Sequence, residues 1–418
     1  MDLSMTEQKN ICFTAFPDSN VFEVGDQVFN IRVKASTSKF AVSGPTAEAG
    51  FLYGYVFFRQ KKDSTIRRGY FQKSLVLLSQ HPFVGLFPRL ISILGPSYFE
   101  LGQPMLEAAC MNIAQWVAPE EGKILDLPFL GRLLQVELPT AFKPQLLETT
   151  PFDMNKLKPD LQIMASLPVN GLYHHFKDIL KDLWLLWELM LLAEPIVVMA
   201  QDPSVCSEAV VSLVDIINPI PYCGDYRPYF TIQDSDFKSF VNKNKPLSSL
   251  HGPLAKKTKP GVGGKSNMLY SFVQGVTTKR KSTIARDRDL IKMLTEATVR
   301  GYPPDWVLNN ILRRHFVDLT EKFLVPLNRY FTTLIPVKIP ANGDVPRLKP
   351  FQTDQFMKSL KEHGPQLPLK STFKTRTSTT DPTKELYSQF LKCGNFATWL
   401  QQRTLKAEQE IMKRRSKQ

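Results

Sequence analysis

The chain has 418 residues, 43% hydrophobic and 22% charged, a globular composition that excludes wholesale disorder. At about 100–200 residues per domain there is room for two to four domains with cores that need no disulfide or metal staples. The formal charge of +14 is concentrated in residues 241–300, with thirteen Lys/Arg against three Asp/Glu, and in 403–418, with six against two.

The first strand-like region is 11–79. Asp26–Val33 alternates loosely, and Phe51–Arg59 and Arg68–Leu78 are aromatic and β-branched. The polar link Gln60–Ile66 makes the last two a β-hairpin. Gly54 and Gly69 predict bulges or close packing. Phe83–Leu94 has a helical face ended by Gly95-Pro96, and Pro104–Trp116 is a second helix with proline in its first turn. Lys123–Leu138 returns to strand around Gly131. Residues 139–170 hold five prolines and read as a linker.

The centre changes class. His175–Glu194 is expected to be one helix and Pro195–Ala200 a strand buried on both sides. Asp202-Pro203 should cap a helix ending before Pro219. Pro228–Ile232 is expected as a strand, completing an open α/β unit with parallel pairing. Residues 242–283 read as loop. Helices are expected over Asp287–Val299, from Pro303-Pro304-Asp305 along an apolar stripe kinked at Pro326, over Thr353–Glu362, and over Lys384–Lys413.

Five scattered cysteines (Cys12, Cys110, Cys206, Cys223, Cys393) without a CxxC pair read as reduced thiols in a cytoplasmic protein. The first ten residues lack the apolar core of a signal peptide, and Leu183–Ala200 is interrupted by Glu188, Glu194 and Pro195, so a buried segment is expected rather than a membrane span. The basic segments lie in a Pro/Gly/Lys stretch and a terminus, not in a folded groove with stacking aromatics, so nucleic acid is not the expected partner. A solvated segment, with weak attraction to anionic membrane, is.

Chemistry-bearing motifs are few. Gly261-Val-Gly-Gly-Lys-Ser266 resembles the end of a phosphate loop, but Lys259 stands where the first glycine belongs, and the required strand and helix context is lacking. His174-His175 lacks metal-ligand spacing. His315, on the apolar stripe, reads as a core histidine. Neither cofactor nor metal is expected. Asp225, Asp234 and Asp236 form a local acidic cluster suited to caps or to a basic partner.

Longer stretches carry a resemblance. Tyr53–Gln60 with Arg67–Leu78, Leu106–Cys110, Gly122–Pro139, Leu186–Ala200, Ile220–Lys238 and Ile311–Pro336 resemble the DENN module, in particular the sixth subfamily of DENN domain-containing proteins. The resemblance implies an α/β and α+β, bilobal fold: a longin-like upstream lobe over 1–140, incomplete at its start; a linker over 141–170; a central α/β lobe over 171–241; a basic flexible loop over 242–284; and a downstream helical region over 285–418. It implies guanine nucleotide exchange on a Rab GTPase by a cytoplasmic protein peripheral to recycling endosomes. The expected partner-binding residues are Asp225, Arg227, Asp234 and Asp236, with no covalent catalytic group. Two departures stand out. The family's first strand pair has no counterpart before Asn10, and its Asn-Pro-Phe-Phe and Trp-Pro stretches are missing from Leu250–Gly264. The competing readings are a Rab- or membrane-binding scaffold and a GTPase-activating relative using Arg67 or Arg68.

Overall fold

The computed structural model describes residues 3–18, 25–35, 50–140, 162–200, 202–234, 237, 248–251, 275–336, 348–364, 367–370 and 381–415. Where strand was expected, the first element is helix α1 (Met5–Thr14). Ser4 is the reason: its hydroxyl accepts the Glu7 N–H, and the Glu7 carboxylate accepts the Ser4 N–H at 2.7 Å, a capping box. Ile11 and Ala15 seat α1 on the first sheet.

That sheet is an antiparallel meander of β1 (Gln27–Lys34), β2 (Phe51–Lys62) and β3 (Tyr70–Ser79). The central strand β2 is apolar on both faces. Leu52, Val56 and Phe58 join the α1 side, while Tyr53, Tyr55 and Phe57 join the cluster under α2 (Phe87–Leu101). The register runs through Gly54 without a bulge, and a Cβ there would lie 2.6 Å from Ile31 Cγ1, so close packing explains the glycine. Helix α2 starts later than expected and runs through Gly95-Pro96. Pro96 forfeits one helical hydrogen bond. Burial of Leu90, Ile91 and Leu94 outweighs that loss, each worth about 1.5–3 kcal/mol.

Helix α3 (Gln103–Ala114) carries Pro104 in its first turn as expected. β4 (Ile124–Phe129) and β5 (Arg132–Glu137) form a hairpin through Leu130 (φ 46°) and Gly131 (φ 76°). Two positive φ values match the strand twist. β6 (Gln162–Met164) lies in the expected linker but pairs parallel with β5, and residues 141–161 fall outside the described residues.

The single central helix is three pieces: α4 (Gly171–Phe176), a 3-10 turn (Lys177–Asp182) and α5 (Leu183–Leu191). The non-helical Ile179, at φ −130°, breaks the spiral. β7 (Ile196–Met199) forms as expected, but it stands at the end of its sheet and is half-buried rather than covered on both sides. In α6 (Pro203–Asp215) the Asp202 carboxylate accepts the Val205 N–H at 2.9 Å, the expected cap. The parallel pairing also forms, with another strand. Pro228–Ile232 is not a strand, because that segment docks through side chains, as described below. β7 pairs instead with β8 (Ser248–His251), which pairs antiparallel with β9 (Gly275–Thr277). Both come from the expected loop. The intervening 252–274, including Gly261–Ser266, lie outside the described residues.

The rest is helical: α7 (Arg288–Arg300), capped by Asp287; α8 (Asp305–Thr332), continuous through Pro326; α9 (Thr353–His363); α10 (Pro382–Phe390); and α11 (Gly394–Arg415). The last two replace one expected helix, broken at Leu391–Cys393. Among the described residues no helix is long and apolar enough to cross a membrane. The helices close over α5. Trp187 Nε1–H donates to Thr320 Oγ1 at 2.9 Å, Tyr387 donates to the Phe323 carbonyl at 2.7 Å, and the Phe323 and Tyr387 rings stack at 4.5 Å. His315 packs edge-on to Trp184, and burial pushes its pKa down despite Asp287 and Asp318.

Glu188 is fully buried within α5. The Ser282 hydroxyl and the Ile284 N–H donate to its Oε1, each at 2.7 Å, and Arg280 Nε donates to Oε2 at 3.4 Å. Arg280 continues to Glu194 and to Gln389 on α10. Glu188→Ala should therefore cost about 3–5 kcal/mol in urea unfolding, because it strands two buried donors and takes from Arg280 one of its two carboxylate partners. A loss under about 1 kcal/mol would contradict that pairing. Gly95→Ala tests the α2 contact. Ordinary helix propensity predicts a gain of about 1 kcal/mol. A Cβ at Gly95 would instead lie 2.3 Å from the Phe57 ring, so a loss of about 1–3 kcal/mol is expected.

Candidate functional site

Segment Ile220–Asp234, which follows α6, has no regular strand or helix. Its backbone is fixed by neighbours far away in sequence. The Cys223 N–H donates to Asn395 Oδ1 at 2.9 Å, and the Ile232 N–H donates to Asp18 Oδ2 at 2.8 Å. Tyr229 lies edge-on to Phe29 with ring centroids 5.2 Å apart. A Cβ on Gly394 would fall 2.5 Å from Cys223 Sγ, so glycine at the start of α11 lets the segment pack there without moving that side chain.

Three of the four expected residues meet in one ionic network, centred on Asp225. Arg227 Nε donates to Asp225 Oδ1 at 3.3 Å, and Arg227 Nη1 lies 3.8 Å from Asp234 Oδ2. Asp236 lies outside the described residues. Two more cations come from β1, and motif reading missed both. Arg32 Nη1 donates to Asp225 Oδ1 at 3.2 Å and to the Tyr226 carbonyl at 3.3 Å, and Lys34 Nζ lies 3.1 Å from Asp225 Oδ2. The Arg32 guanidinium is wedged between aromatic faces, 3.3 Å from the Phe51 centroid and 4.3 Å from that of Tyr226. A guanidinium suits this position because it stacks and donates within one plane. The available signal was an arginine inside the apolar run Phe29–Val33: a strand charge flanked by core residues must find a partner.

Exposure sorts these groups. The Arg32, Arg227 and Asp234 side chains are 2%, 8% and 9% exposed, so they lock the segment to β1 and to itself. Asp225 is 27% exposed and Lys34 61%, and farther along the same segment Ile232 is an exposed large apolar residue at 67%. Burial alone would raise the Asp225 carboxyl, but Arg227 and Lys34 outweigh it and hold it below the usual carboxylate range.

Behind the segment lies a cleft of about 640 Å³ whose lining includes Met199, Cys206, Tyr222, Tyr226 and Phe230. Burial pushes the Cys206 thiol up to about 12, so it is protonated at neutral pH and is no nucleophile. The two adjacent histidines have separate partners: His175 Nε2 is 2.9 Å from Glu208 Oε2, and His174 Nδ1 is 3.2 Å from Asp305 Oδ2. Arg67 and Arg68 are exposed in the β2–β3 link. The arrangement offers a shaped, charge-locked surface suited to binding.

Comparison with known proteins gives close relatives along nearly the whole chain. Protein DENND6B of Homo sapiens is 35% identical, with the match covering 96% of this chain and 74% of the relative. Protein DENND6A of Gallus gallus is also 35% identical, over 98% of this chain and 76% of the relative. The Protein DENND6 homolog of Dictyostelium discoideum is 31% identical, over 96% and 67%. No family model matches the chain.

Arg32→Met should destabilise the protein by on the order of 3 kcal/mol, and Arg32→Lys should recover little, since a point charge cannot stack on Phe51. Unfolding midpoints close to that of the unaltered protein would contradict this. The Asp225 carboxyl has a folded pKa below its unfolded value of about 4. Its contribution is therefore complete above that value and is lost as pH falls through the folded pKa. The stability difference between the unaltered protein and Asp225→Asn should shrink below about pH 4. A constant difference across that range would contradict the network.

Proposed function

We propose that this chain, which belongs to the DENND6 family of DENN domain proteins, is a guanine nucleotide exchange factor for a Rab GTPase. The DENN family is known for Rab exchange, and membership carries the proposal. The site supports it physically. A short segment without secondary structure is held to a distant strand through the buried Arg32 guanidinium, which gives a partner a preformed surface at small ordering cost.

Exchange needs no covalent step from this chain. The factor must bind the nucleotide-free GTPase more tightly than the GDP form, so that complex formation favours GDP release. By linkage, GDP or GTP weakens the complex by the same factor, and the more abundant nucleotide then refills the site. The domain boundaries follow the family reading: a longin-like lobe over 1–140, a central lobe over 171–241 and a helical region over 285–418, acting together in the cytoplasm at recycling endosomes. Asp225, Arg227, Asp234 and Asp236 belong to the contact region. Within it Arg227 and Asp234 hold the segment in shape, while Asp225, Lys34 and Ile232 face the GTPase.

The test is release of a fluorescent GDP analogue from a panel of Rab GTPases. The unaltered chain should accelerate release from at least one of them. Ile232→Asp should reduce that acceleration at least tenfold without moving the unfolding midpoint, because the side chain is exposed. Arg227→Glu should lower both activity and stability, because it places a third carboxylate between Asp225 and Asp234. Acceleration on no member of the panel would favour a Rab-binding or membrane-binding scaffold instead. Full activity in Ile232→Asp would remove this segment from the contact.

A further inference from the structure

The link between β2 and β3 is a rigid basic tip. Between Phe51 and Ser79 the chain has six Lys/Arg and a single acid, Asp63. Arg59 is turned to Asp26, and Lys73 donates to the Tyr98 hydroxyl at 2.7 Å. The other four, Lys61, Lys62, Arg67 and Arg68, are exposed around the loop that closes the hairpin. Burial along β2 ends at Gln60, so these residues stand beyond the core.

The loop is preformed. The Asp63 N–H donates to the Gly69 carbonyl at 3.0 Å, and the Gly69 N–H donates to the Ile66 carbonyl at 2.8 Å. The Asp63 carboxylate is turned into the loop, where it accepts the Thr65 N–H at 2.9 Å and the Thr65 hydroxyl at 2.5 Å. Arg68 lies over the Tyr70 ring at 5.2 Å and donates from Nε to the Tyr70 carbonyl at 3.2 Å. The loop backbone thus has little entropy to lose on contact with a charged surface.

We propose that this hairpin tip is a docking surface for an anionic lipid bilayer. Four cations around a convex tip can meet a flat negative surface together. A single-stranded nucleic acid would call for a groove with exposed stacking faces, which a hairpin tip lacks. Each basic residue near an anionic membrane strengthens partitioning about fivefold, and the factors from several multiply because their free energies add within a Debye length. The tip is separate in sequence from Ile220–Asp234 and from the basic segment 241–300, and the proposal does not depend on exchange activity.

The experiment is flotation of the full chain with phosphatidylcholine vesicles, with and without phosphatidylserine. The unaltered chain should float only with the anionic vesicles, and less at high salt. Lys61→Glu combined with Arg67→Glu should lower partitioning at least tenfold with an unchanged unfolding midpoint, since both side chains are exposed. Lys61→Gln with Arg67→Gln should produce a smaller loss in the same direction. The control pair Lys256→Glu with Lys257→Glu reverses the same charge in the other basic segment and should change partitioning less than threefold. Absence of flotation, equal flotation on neutral vesicles, or a loss in the control pair matching or exceeding that at the tip would overturn the proposal.

Discussion

Helix α5 is buried at every position except the half-buried Leu185, so the polar groups it carries must find partners inside the protein. Leucines and tryptophans supply the burial, but one carboxylate and the carbonyls of the last turn come with them. Glu188 draws in the 280–284 segment and, through Arg280, reaches α10. At the C-terminal end, Asn395 Nδ2 donates to the Met190 and Leu191 carbonyls at 2.8 and 3.0 Å. Two polar obligations of one buried helix thus bring together chain segments about a hundred or two hundred residues away. Isolated buried charges are costly, so each such group restricts the packing to arrangements that complete its shell.

The same obligations reach the candidate site. Asn395 uses its amide nitrogen on α5 and its oxygen on the Cys223 N–H, so one side chain caps a helix and fixes the start of the Ile220–Asp234 segment. Arg32 fixes the middle of the segment from the other side, on β1. The segment is held between a helix cap and a strand cation, and this accounts for an ordered shape without backbone pairing. Under the proposed exchange function, such a shape would leave the binding energy for gripping the nucleotide-free partner rather than for ordering the factor itself.

Much of this was legible in the sequence where the signal is local. β2 and β3 are continuous aromatic and β-branched runs, the α6 cap is written as Asp202-Pro203, and the stripe of α8 keeps its period for over twenty residues. What stayed hidden depends on distant partners. β8 and β9 lie in a polar stretch and exist because β7 offers a ladder. Conversely, Pro228–Ile232 has strand composition but spends Tyr229 on Phe29 and the Ile232 N–H on Asp18. Gly95-Pro96 reads as a stop, yet the glycine is there to admit Phe57. In the candidate site, the family resemblance pointed to Asp225, Arg227, Asp234 and Asp236, while the β1 partners of Asp225 carry no motif. Arg32 announces itself only as a charge within an apolar strand, and its partner could not be named before the fold was known.

The central claim is that packing on α5 sets the shape of the Ile220–Asp234 segment. Hydrogen–deuterium exchange on Asn395→Ala addresses it directly. The substitution lies in α11, about 170 residues from Cys223 along the chain. If the account holds, amides of Cys223–Asp234 exchange faster in the variant, together with the last turn of α5, while the β1–β2–β3 sheet keeps its protection. Unchanged exchange across Cys223–Asp234, with loss of protection confined to α5 and α11, would show that the segment is shaped independently of the helix and would contradict the claim.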